Sequence, residues 1–233
     1  FQKYTLSPTA PLFAVNYDLG RNGAAYYDLD TATYHSDTNQ YQAWNQGWSY
    51  RNDGVDIEAN RDAVTNGYNV GWVSTGEWLQ YTMEVPATGL YDVQVRIASA
   101  SGGGQISLSS NGVPLTETVT LPSSGDWAKW TSAEIKDVYL TAGTNKLRLN
   151  VVNGGFNLNY LQFSTPHAAT AAPQLLAAKT TEAGKNIVLT FNQALAPVTA
   201  PAGFTLKVNG TAATFSAAAL QAGSPQLLVL TLD

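Results

Sequence analysis

The sequence predicts an all-β protein built as a sandwich, and three observations carry that prediction. Twenty Gly and ten Pro in 233 residues, with a single Met, leave little room for long helices and supply the turns that many short strands need. From Glu77 the chain alternates without a break. Glu77, Leu79, Tyr81, Met83 and Val85 share one face while Trp78, Gln80, Thr82 and Glu84 share the other, as a half-buried strand requires. Short runs of the same kind recur between turn signals at the spacing of a β-sandwich.

Residues 1–10 form a Pro-punctuated leader, linker or edge strand, and Phe1 is expected to be a processed or cloned start. Residues 14–35 alternate apolar fragments with Asp, Asn and Gly, as in strands joined by tight loops. Residues 36–50 are polar, aromatic and unpatterned; they predict a long surface loop carrying Trp44 and Trp48, either as lids or as its internal packing. A short strand is expected around Val55 to Glu58. After the organising strand, the Pro86-Ala87-Thr88-Gly89 turn leads into a second alternating run, with Tyr91, Val93, Val95 and Ile97 inward and Asp92, Gln94 and Arg96 outward.

The Gly-rich stretch 101–104 reads as a turn, and residues 105–112 as a strand ending in an Asn111-Gly112 hairpin signal. Residues 113–122 read as one further strand. Residues 123–130 form a loop that presents Trp127, while Trp130 and Tyr81 are expected in the core. Two strands flank the turn at 141–145, and GGFNLNYLQF closes the unit. Residues 165–173 have the Pro/Ala/Thr composition of a linker. Beyond them, 174–233 predict an incomplete second β unit with strands near 187–191, 204–210 and 227–233.

Composition removes several classes of function. Without cysteine there are no disulfides, thiolate metal sites or Cys nucleophile. A net charge of −5 with no Lys/Arg cluster leaves nothing to neutralise phosphates, so no nucleic-acid partner is expected. No apolar run approaches the roughly 18 residues that a membrane span needs. His35 and His167 are the two histidines, and neither G-x-S-x-G nor H-E-x-x-H occurs. Asp53, Asp56 and Glu58 could pair as acid and base on a glycoside, but Asp in such loops more often sets turns or offers calcium an oxygen.

The aromatics point elsewhere. All six Trp fall between residues 44 and 130, and Trp72, Trp78 and Trp127 sit in polar loops or on a polar strand face. A pyranose ring has apolar C–H faces and a rim of hydroxyls, so flat aromatics with amide side chains at the edge match it. Trp72, Trp127 and Asn157 are of the right types.

The segments YDLGRNGAAYYD, YRNDGVDIE, GYNVGW, GEWLQYT, GGG, DWAKW and GGFNLNYLQF, in this order, resemble the family 6 carbohydrate-binding modules of secreted polysaccharide-degrading enzymes, over about 11–163. The resemblance implies a jelly-roll sandwich, a structural calcium and up to two sugar sites. Its loop-end aromatic pair falls on Trp72 and Trp127, and its hydrogen-bonding Asn on Asn157. A second site on a concave sheet face uses Trp78, to which strand geometry adds Gln80, Gln94 and Arg96. Many members carry Glu where Val15 stands and Asp where Asn159 stands, both positions of the calcium site. The tail from Pro173 resembles bacterial Ig-like modules.

The expectation is therefore a monomeric, secreted, non-catalytic module that binds polysaccharide and is covalently linked to a catalytic domain. The alternative is a structural or adhesive sandwich whose aromatics pack on neighbouring modules.

Overall fold

The computed structural model describes residues 4–29, 50–51, 53–181 and 183–233. Trp44, Trp48, His35 and nearly all of the expected 36–50 loop lie outside the described residues.

Two sheets face each other. One contains β1 (Tyr4–Thr5), β3 (Tyr26–Tyr27), β6 (Trp78–Val85), β8 (Gln105–Ser110), β9 (Val113–Pro114), β10 (Val119–Thr120) and β12 (Gly143–Asn153), in the order β1-β6-β12-β8-β10, with β3 on β6 and β9 on β8. The other contains β2 (Leu12–Phe13), β4 (Ile57–Ala59), β5 (Tyr68–Val70), β7 (Gly89–Ala98), β11 (Thr131–Leu140) and β13 (Asn157–Phe163), in the order β11-β7-β13-β5-β4, with β2 on β13. The 8-residue β6 follows its sequence pattern throughout. Leu79, Tyr81, Met83 and Val85 are buried, and Trp78, Gln80, Thr82 and Glu84 are half-buried on the outer face.

Tyr81, Met83, Tyr91, Ile97, Phe156 and Phe163 are fully buried between the sheets. Each such side chain contributes roughly 1.5–3 kcal/mol by leaving water. Tyr81 can sit in the middle because its hydroxyl donates to the Ala14 carbonyl at 2.9 Å. Arg51 stitches the N-terminal segment to this body. Its guanidinium stacks 3.6 Å over the Tyr17 ring, donates to the carbonyls of Val15, Tyr17 and Asp18, and pairs with Asp53.

One open sequence reading is decided and two expectations change. The leader is an edge strand: Tyr4 and Thr5 pair in parallel with Met83 and Glu84, and Leu6 is buried. Residues 113–122 make two short strands, because the chain leaves β8 after Pro114 and returns at Val119 with Leu115 buried between. Trp130 is half-buried and does not belong to the core.

The last part of the chain forms a four-stranded sheet of β14 (Leu175–Thr180), β15 (Asn186–Phe191), β19 (Ser224–Leu232) and β18 (Phe215–Gln221), with a separate hairpin of β16 (Leu206–Val208) and β17 (Thr211–Ala213). Its buried centre is small, built on Ala218, Leu228 and Leu230.

Much of the expected linker is docked. His167 pairs with Leu90 and donates its backbone N–H to the Leu90 carbonyl at 2.9 Å, prolonging the line of β13 along β7. Its Nε2 lies 3.2 Å from Asp92 Oδ1. Thr170 binds Asp137 through backbone and hydroxyl, whereas the very next carbonyl, Ala171, accepts from Gln193 of the second unit at 3.0 Å.

Candidate functional site

A cleft of about 380 Å³ opens at one end of the sandwich, lined by Glu58, Trp72, Val73, Trp127, Gly155, Phe156 and Asn157. Trp72, Trp127 and Asn157, singled out in the sequence 30 or more positions apart, are thus brought to one place. Both indoles are exposed, Trp72 at 49% and Trp127 at 51%, although large apolar side chains on this protein are otherwise mostly buried.

Each ring is held out by its backbone. Trp72 follows β5 and has φ of 46°, a left-handed conformation uncommon in any residue other than Gly and costly for a bulky one. Gly71 before it donates its N–H to the Asp56 carbonyl at 2.9 Å, which sets where the turn leaves the sheet. Gly154 lets the opposite wall approach: a Cβ there would lie 2.3 Å from the Val73 carbonyl oxygen. Trp127 rides on a loop anchored by Ser99, whose N–H donates to Ser124 Oγ and whose hydroxyl donates to the Gly155 carbonyl at 2.8 Å. Within the loop, the Ala128 N–H donates to Asp126 Oδ1 at 2.8 Å, an Asx-type turn that fixes the ring's base.

Asn157, first residue of β13, is buried and fully committed as a donor. Its Nδ2 gives one hydrogen bond to Glu58 Oε1 at 2.8 Å and one to the Trp127 carbonyl at 2.9 Å. Reversing the amide would set its oxygen against two other oxygens, so the orientation is fixed and Oδ1 is the atom left to accept. Glu58 Oε1 also accepts from Asn69 Nδ2 at 3.1 Å. A methyl at Gly71 would lie 3.3 Å from both Asn157 Oδ1 and Glu58 Oε1, so the absent side chain leaves the polar floor open.

Glu58 is the residue that the sequence reading did not place here. It stood among three acids as a general acid or base. Among the described residues it is the cleft's only carboxylate, whereas hydrolysis of a glycoside by such groups needs a facing pair. Asp53 is engaged with Tyr17 and Arg51, and Asp56 is buried.

The expected second group divides. Trp78 and Gln80 lie on β6, but Gln94 and Arg96 lie on β7, which belongs to the other sheet. The Pro86–Gly89 connection carries the chain from one sheet to the other, so the two outer faces point in opposite directions and these four residues cannot line one cleft. Alternation tells inside from outside; it does not tell which outside. Arg96 is engaged with Asp62 at 2.8 and 2.9 Å, and Gln94 is exposed on its own face.

The Trp78 face has its own polar cluster. The Arg148 guanidinium stacks 3.6 Å over the Trp78 ring and donates to Gln80 Oε1 at 3.3 Å. Gln80 in turn donates to Asp18 Oδ2 at 3.1 Å, and Thr82 donates to the same carboxylate through its N–H and hydroxyl, both at 2.7 Å. Arg148 was not singled out from the sequence, although it pairs opposite Gln80 in the β6–β12 ladder.

A sequence model described as carbohydrate binding module (family 6) matches residues 42–165, more than half of the 233 residues. The chain belongs to carbohydrate-binding module family 6. As such a module it is a binding unit without catalysis of its own. It is 32% identical over 112 residues to the clotting factor G alpha subunit of Tachypleus tridentatus, covering 47% of this chain and 16% of that protein. It is 32% identical over 107 residues to the exo-beta-D-glucosaminidase of Amycolatopsis orientalis, covering 44% of this chain and 10% of that protein. Among solved structures, the family 6 module of Cellvibrio mixtus lichenase 5A, in complex with cellotriose, shares 32% identity with a TM-score of 0.44, over 49% of this chain and 88% of that one. The module thus spans a small part of the two longer relatives.

The resemblance also implies calcium, and the donors at the positions concerned can be tested against that ion. Val15 is wholly buried and brings no side-chain oxygen. Asn159, also wholly buried, donates its amide to Asp62 Oδ2 and to the Val64 carbonyl, each at 2.9 Å. Asp62 is already bound by Arg96. One carboxylate, one carbonyl and an amide turned donor-first do not make the six to eight oxygens that calcium takes.

Proposed function

We propose that the cleft between Trp72 and Trp127 takes a sugar ring of a β-linked polysaccharide of glucan or xylan type, and that the chain is the glycan-binding part of a larger secreted polysaccharide-degrading enzyme. The observation that carries this reading is a tryptophan in a left-handed backbone, half exposed over a polar floor. A fold keeps such a conformation where the ring is needed outside the core. In this reading the indoles flank the sugar's apolar faces, and Asn157 Oδ1 accepts from a hydroxyl.

Each aromatic contact supplies about 0.5–1.5 kcal/mol and each hydrogen bond about 0.5–1.5 kcal/mol, which places affinity for a short oligosaccharide between roughly millimolar and micromolar. Weak binding suffices for tethering, since a linked catalytic domain gains local substrate concentration and not bond-breaking power. The unit from residue 174 is read as an Ig-like spacer in that assembly, and the chain as a monomer.

Titration calorimetry and tryptophan emission with cello-, laminari- and xylo-oligosaccharides test the assignment. Trp72→Ala and Trp127→Ala are each expected to weaken binding by up to about tenfold, the loss of one ring contact at the upper end of its range. Undiminished binding in both variants would overturn it, and unchanged emission with every sugar would favour the structural or adhesive role.

A further inference from the structure

We propose that in this chain the Arg96 guanidinium and the Asn159 amide hold together, without a metal ion, the point where a structural calcium is expected. The two oxygens that converge there, Asp62 Oδ2 and the Val64 carbonyl, are both taken by Asn159 Nδ2 at 2.9 Å. Arg96 grips the same carboxylate with two parallel bonds, Nε to Oδ2 at 2.8 Å and Nη2 to Oδ1 at 2.9 Å. This is the fork geometry that makes an arginine–carboxylate pair strong and directional.

Three separated pieces of chain are joined this way: the segment after β4, the middle of β7 and the bulge of β13. Asn159 has no partner in the β7–β13 register, where the pairing shifts between Leu158 and Tyr160, and its side chain is wholly buried. Asp62 is 5% exposed at its side chain, so its charge sits largely out of water with a cation against it. The Arg96 hydrogen bond is the main cause that holds the Asp62 carboxyl below its usual range, against the pull of burial.

The charges also argue against an ion. One carboxylate facing one guanidinium sums to zero, and a divalent cation would have to enter within a few ångströms of Arg96. Val15 supplies no carboxylate to offset it, and the Val15 carbonyl is occupied by Arg51 Nη1 at 3.2 Å. Asn159 Oδ1 is buried without a hydrogen-bond partner among the described residues. Turning the amide over would aim that oxygen at Asp62 and Val64, but it gathers three groups where calcium needs at least about six oxygens.

The test is thermal unfolding of the whole chain, stripped with chelator and then supplied with millimolar calcium. An ion present at a thousand times its Kd would raise Tm by on the order of 10 °C; the expected shift is none. Arg96→Gln is expected to lower Tm equally with and without calcium. Asn159→Asp combined with Val15→Glu supplies the carboxylates that the site lacks and is expected to create a calcium-dependent rise. A calcium-dependent rise in the unaltered chain that Asp62→Asn abolishes would overturn the proposal. A rise that survives Asp62→Asn would support it, by placing the ion elsewhere.

Discussion

Asn157 donates its amide to Glu58 Oε1 at 2.8 Å, across 99 positions of the chain, and this bond decides which face of the amide meets the cleft. Two strands of one sheet, β4 and β13, therefore cooperate with the Trp127 loop in a single polar floor. The floor is rigid because each donor of Asn157 is spent on protein, leaving only an acceptor for whatever enters.

Glu58→Gln tests that arrangement. The substitution keeps shape but replaces a charged acceptor by a neutral one, weakening the bonds from Asn157 and Asn69 from the class that contributes about 1.5–3 kcal/mol towards the neutral class of about 0.5–1.5 kcal/mol each. Oligosaccharide affinity is expected to fall by roughly 10- to 100-fold with the far-ultraviolet spectrum unchanged. Calorimetry returning the parent affinity would remove Glu58 from the site.

Arg148→Ala addresses the other outer face. A guanidinium 3.6 Å over an indole excludes solvent from that side of the ring. Its removal is expected to increase acrylamide quenching of Trp78 emission and to cost about 0.5–1 kcal/mol of stability, while binding at the Trp72 cleft stays as it was. No change in quenching would mean the stack does not persist in solution.

The docked segment around His167 should respond to pH. Its Nδ1 donates to the Ala168 carbonyl at 2.7 Å, which leaves Nε2 facing Asp92 Oδ1 and, when neutral, sets a lone pair against a carboxylate. The Ala168 hydrogen bond first, and the Asp92 and Asp137 charges after it, raise the His167 pKa above its ordinary 6.5. Lys136 also grips Asp92, and with its other partners it outweighs burial and holds that carboxyl low; Glu134 binds Lys136 from outside. A raised pKa means that the docking contribution is complete below about pH 6.5 and is lost as pH climbs through the folded value. Limited proteolysis within residues 168–173 is expected to be slow at pH 6 and faster at pH 8.5, and insensitive to pH in His167→Gln. The reverse order would refute the latch.

Much of this was legible in the chain, and the boundary of legibility is physical. The strand Trp78–Val85 could be read residue by residue because a period of two needs only its own sequence. The Asn111-Gly112 turn was readable for the same local reason, and both residues have positive φ, 52° and 82°. What could not be read depended on partners far away. Nothing in residues 86–89 says whether the next strand returns beside β6 or crosses to the other sheet, and that choice alone separated Gln94 and Arg96 from Trp78. Glu58 looked like one of several loop acids until Asn69 and Asn157 were placed against it. The Pro/Ala/Thr composition of 165–173 reads as a linker, but His167 and Thr170 find carboxylates on β7 and β11 that composition cannot see.

The left-handed backbone at Trp72 has a kinetic corollary. Because folding has already set where that indole leaves the main chain, a saccharide entering the proposed cleft has no backbone rearrangement to induce. Capture and escape are then limited by diffusion and by the few contacts themselves, which allows the module to let go and re-grip quickly along a polymer.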